Sequence, residues 1–160
     1  MLYAEGARNH MYEFVDRPLA RMDYGARFLV FSMRMWVSSL GRKQCPASAV
    51  APGFAKWGMM AGLQAFHRAM LLLNRDGLEQ LGFCSLKCNH VSEHEAILLT
   101  LACDLGEGRA AHARETLALI VAEDSVEDVL AGIAQTVAAM GTARIAPQRP
   151  ALAPRDSDRG

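Results

Sequence analysis

No stretch of this 160-residue sequence is long and apolar enough to be a transmembrane segment. A spanning helix needs about 18 or more apolar residues in a row. The nearest approach, Phe28 to Leu40, is too short and carries Arg34 in its middle. Met1 to His10 has no continuous apolar core, so it does not read as a secretory signal. Both absences lead to an expected cytoplasmic location. Neither sign of charge is in excess, since Lys+Arg and Asp+Glu stand at 17 each. Without a net field, no attraction to nucleic acid or to an anionic membrane is expected. Lysine is scarce beside arginine while alanine is abundant, the pattern of a GC-rich bacterial coding sequence. A glycine loop able to cradle phosphates, a nucleophile elbow and a separated pair of acids are all missing. No catalytic residue is therefore assigned, and the expectation is a protein that is not an enzyme.

What remains is the composition of a packed body, 51% hydrophobic and 21% charged. A chain of this length can withdraw roughly two-thirds of its unfolded surface from water. No run alternates apolar and polar residues as a half-buried strand does, whereas spacings of three and four recur throughout. The expected fold is all-α, a single-domain helical bundle of five to six helices over residues 1–141. Within it, a hydrophobic helical pair at 16–77 precedes Ala/Leu-rich helices at 84–141. Residues 142–160, with three prolines and no apolar period, are expected to be a disordered tail.

In chain order, Tyr3, Tyr12 and Phe14 can anchor a short helix or an arm at the start. Asp16-Arg17-Pro18 has the form of a helix start, an acidic cap followed by a proline tolerated in the first turn. Leu19, Met22, Ala26, Leu29, Met33, Trp36 and Leu40 then form a helical stripe that ends at Gly41. A second apolar row, Tyr24, Phe28, Phe31 and Met35, leaves only the narrow polar strip Asp23, Arg27, Arg34 and Ser38. A helix apolar over most of its circumference must be covered on several sides, by its own bundle or by a partner. Residues 41–53 read as a connection and 54–74 as a second helix, striped by Met59, Leu63, Phe66, Met70 and Leu73. Gly58 and Gly62, with Ala61, Ala65 and Ala69, leave its flanks bare for close helix packing. Ser92-Glu93-His94-Glu95 is a capping box that fixes the next helix start at Ser92. Helices are also expected over 110–124 and, after Ser125, over 126–140. The helix–turn–helix at 92–123 occurs once, which argues against a stacked array.

The segment from Cys84 to Glu95 concentrates the chemistry. It holds two of the four cysteines and two of the five histidines at the seam between the two halves. Thiolate and imidazole are the ligands zinc prefers, so Cys84, Cys88, His90 and His94 form a candidate metal site for zinc or iron. Their spacing fits no closed four-ligand pattern, and a site here needs at least one distant ligand such as His67, Cys103 or His112. The same cysteines support a thiol-redox reading, because Cys88 lies beside Lys87 near a helix N-terminus and Cys84 could resolve it. His67 alone, in mid-helix, reads first as a packing residue. The leading expectation is an accessory or regulatory protein acting through protein–protein contacts. It would be a homo-oligomer or bind a protein partner through helix 18–40. The alternative is a metal- or redox-responsive regulator built on Cys84–Glu95.

Overall fold

Asp23, and not Asp16, opens the first long helix in the computed structural model, which describes residues 13–150. Asp16 takes a left-handed φ of 57°, and a short 3-10 turn spans Leu19–Arg21. Met22 is extended, and the Asp23 carboxylate then accepts from the Ala26 N–H at 2.8 Å. Helix α1 runs Tyr24–Gly41. The apolar stripe misses this break because the 3-10 turn keeps Leu19 and Met22 packed against the core below it.

The expected helix at 54–74 is two helices. Helix α2, Pro46–Lys56, begins earlier than expected, with Pro46 in the first turn where its missing donor costs nothing. It accommodates Pro52 in its interior. Trp57–Met59 breaks the run, with Gly58 at a φ of 69° that suits glycine. Helix α3 is Met60–Asp76, α4 is Glu93–Gly106, α5 is Ala110–Leu117 and α6 is Val126–Thr142. The Ser92 capping box stands as expected, with both of its reciprocal hydrogen bonds made.

The result is an all-α single domain with six α-helices and no strand among the described residues. Isolated bridges at Pro18–His90 and Gly77–Val121 tie the connections to one another. No helix among the described residues is long and apolar enough to cross a membrane. Helices α3 and α6 approach most closely through the bare flank of α3. A Cβ placed on Gly62 would lie 2.9 Å from the Ala139 methyl, and one on Gly132 2.9 Å from the Ala65 carbonyl oxygen. An aromatic ladder joins α1, α2 and α3, with Phe28 on Phe54 at 5.1 Å and Phe54 on Phe66 at 5.3 Å. Ten of the 18 residues of α1 are buried. Its own bundle covers most of its circumference.

Residues 143–150, expected in the tail, fold back over the start of α1. Ile145 is buried there, and its carbonyl oxygen lies so close to Gly25 that a Cβ at that position would overlap it. Asp23 accepts from the Gln148 N–H at 2.8 Å, and Arg149 reaches Glu13, Asp104 and Glu107. Proline content marks the absence of helix, not the absence of packing. Tyr3, Tyr12 and residues 151–160 lie outside the described residues.

Candidate functional site

The centre of the 84–95 segment is a residue from another helix. Arg34, read from the sequence as part of the narrow polar strip of α1, is only 2% exposed and pairs with the fully buried Glu95. Two parallel bonds join them, Nε to Oε2 at 2.8 Å and Nη2 to Oε1 at 2.9 Å. Arg34 also donates to the carbonyls of Cys88, at 2.8 Å, and His90, at 2.7 Å. Glu95 in turn accepts from the backbone N–H groups of Ser92, at 2.9 Å, and Cys84, at 3.2 Å. Desolvating two charges is tolerable only when their remaining donors and acceptors are satisfied. Here the loop backbone supplies those bonds. The hydrogen bonds Arg34 donates to Glu95 hold it protonated more firmly than an ordinary arginine.

This pair grips both ends of a turn. The Cys88 N–H donates to the Ser85 carbonyl at 3.0 Å, and this chain reversal sets Cys84 and Cys88 at the two ends of one tight turn. Both are free thiols at partly exposed positions. Their environments differ. Burial pushes the Cys84 thiol up, and the contact with Cys88 adds to this. The Cys88 thiol is pushed down, first by a hydrogen bond from the His90 backbone and then by the one from Cys84. In its neutral form the Cys88 thiol lies 3.3 Å from the His90 carbonyl oxygen, to which it can donate.

The two histidines of the segment sit elsewhere. His94 Nδ1 accepts from the Gly82 N–H at 2.7 Å, and its Nε2 faces a Glu79 carboxylate oxygen at 3.2 Å. His90 is exposed and contributes its backbone carbonyl. The more distant candidate ligands are engaged as well. His67 Nδ1 accepts from the Trp36 indole N–H at 3.0 Å, a packing role. The buried Cys103 donates to the Pro147 carbonyl at 3.5 Å, and burial pushes its thiol up to about 12. His112 Nδ1 lies 2.7 Å from the buried Asp104 carboxylate. Among the described residues, no group of three or more His, Cys, Asp or Glu side chains is placed to hold a metal ion. The fold assembles a pair of thiols over a buried ion pair, with the histidines on separate duties.

Two functional elements escape sequence reading. Arg34 could have been suspected because it interrupts an otherwise apolar run, but nothing local points to Glu95. Arg149 lies in proline-rich sequence with no pattern to flag it. No family model, no curated protein and no solved structure matches the chain.

Proposed function

We propose that the protein acts through protein–protein contacts, as a regulatory or accessory chain that pairs with a second copy of itself along α1. One observation carries this reading. Although α1 is mostly covered within the chain, Tyr24 remains 65% exposed and Phe31 51% exposed. Met35, partly buried, continues the row at helical spacing, and Trp57 adds a ring 6.3 Å from Tyr24. Arg27 stacks its guanidinium carbon 4.8 Å over the Tyr24 ring, so the row begins with an ordered edge. Completing the burial of these side chains is worth on the order of a few kcal/mol per copy. A helix face of this kind suits an isologous contact, where the same row serves both subunits. A net charge of zero offers no general repulsion between copies.

Light scattering over a range of concentrations tests the proposal. The wild-type chain is expected to dimerise, and Phe31→Arg to remain monomeric with an unchanged helical circular dichroism spectrum. A wild-type chain that stays monomeric at its highest soluble concentration overturns the reading. A stable complex with a different protein on the same row would replace the second copy as the partner.

A further inference from the structure

We propose that Cys84 and Cys88 are a redox switch: exchange with a small-molecule disulfide joins them across the turn at 85–88, and a dithiol reductant reopens the bond. The inference is independent of the pairing along α1, since a monomer can carry the switch and a dimer can lack it.

The geometry that supports it is held by the fold. Arg34 fixes the Cys88 carbonyl at 2.8 Å and Glu95 fixes the Cys84 N–H at 3.2 Å. Both ends of the turn are thereby anchored to one buried ion pair, so the turn that sets the two cysteines four residues apart and facing the same pair is held by the fold. Both cysteines are partly exposed residues at the protein surface. The remaining cysteines lack this arrangement. Cys103 is buried with its thiol pushed up to about 12, and Cys45 is exposed at the start of α2 with no second cysteine contact.

The order of events follows from the two environments. Cys88, the more readily ionised thiol, attacks one sulfur of the small disulfide. The S–S bond of that molecule breaks, and one thiolate leaves and takes up the proton that Cys88 gave to solvent. Cys84, kept as a thiol by burial, then loses its proton, and its sulfur attacks the Cys88 sulfur. The mixed disulfide breaks and the second small thiolate departs, protonated in turn. Two protein thiols are oxidised by two electrons, and one disulfide is reduced to two thiols.

The test uses the full chain carrying Cys45→Ser, which removes the exposed competitor. Oxidised glutathione is added, the reaction is quenched by alkylation, and products are read by intact mass and peptide mapping. The expected product is a monomer with an intramolecular Cys84–Cys88 disulfide and an unmodified Cys103. In the same background, Cys84→Ser should trap one glutathione on Cys88. Cys88→Ser should trap glutathione at Cys84 more slowly, by about ten-fold. Accumulation of glutathione adducts or interchain-linked chains in place of the internal disulfide overturns the proposal. Equal trapping rates in the two single variants overturn the assigned order of attack.

Discussion

Helix α4 carries two fully buried carboxylates, Glu95 in its first turn and Asp104 in its last, and the molecule treats them differently. At the N-terminal end the helix itself favours an acid. The free N–H groups and the positive end of the dipole point toward Glu95, which also closes the capping box. One matched cation, Arg34, then suffices, and the site closes over completely. At the C-terminal end the dipole opposes an acid. Asp104 is surrounded by the Arg149 guanidinium at 2.5 Å, the His112 imidazole at 2.7 Å and Arg109 at 3.8 Å. These partners stay 19%, 20% and 43% exposed at their side chains, so this second site remains open to water and salt. A helix that already supports a charge needs few partners. One that resists it needs several.

The sharpest way to break this comparison is to remove Arg34. Arg34→Met leaves Glu95 buried without its cation and should cost about 3–5 kcal/mol of stability, read by urea denaturation. The double variant Arg34→Met, Glu95→Gln should lose much less than the sum of the two single changes. An Arg34→Met loss below about 1 kcal/mol would mean that the pair is no closed site at all. At the other end, Asp104→Asn should cost less, about 1–2 kcal/mol, because its partners are partly solvated. That loss should shrink in high salt, whereas the cost at Arg34 should hardly change. The smallest effect separates the cap from the ion pair. Ser92→Ala should cost about 1 kcal/mol, leaving most of the stabilisation at Glu95 in place.

The same contrast marks what the sequence could reveal. The all-α class, the start of α4 at Ser92, the close flank of α3 and the packing role of His67 all follow from local spacing and were legible. Glu95 was visible as a capping residue, yet its partner lies 61 positions away and carries no local mark. The assignment of Arg34 to a polar strip rested on its charge, whereas its burial is decided by a loop that folds over it. The break at Trp57–Met59 was hidden because apolar stripes continue on both sides of a kink. The turn that joins Cys84 to Cys88 was equally hidden. Spacing alone could not show that backbone bonds to a buried ion pair would separate these thiols from His94.

The buried pair also imposes an order on folding. The aromatic ladder of Phe28, Phe54 and Phe66 links consecutive helices and can collapse early. The Arg34 guanidinium has no reason to leave water until Glu95 and the carbonyls of Cys88 and His90 are all in place. That closure requires both halves of the chain at once and belongs late on the path to the native state. Arg34→Met is therefore expected to speed unfolding more than it slows folding, read by stopped-flow kinetics in urea.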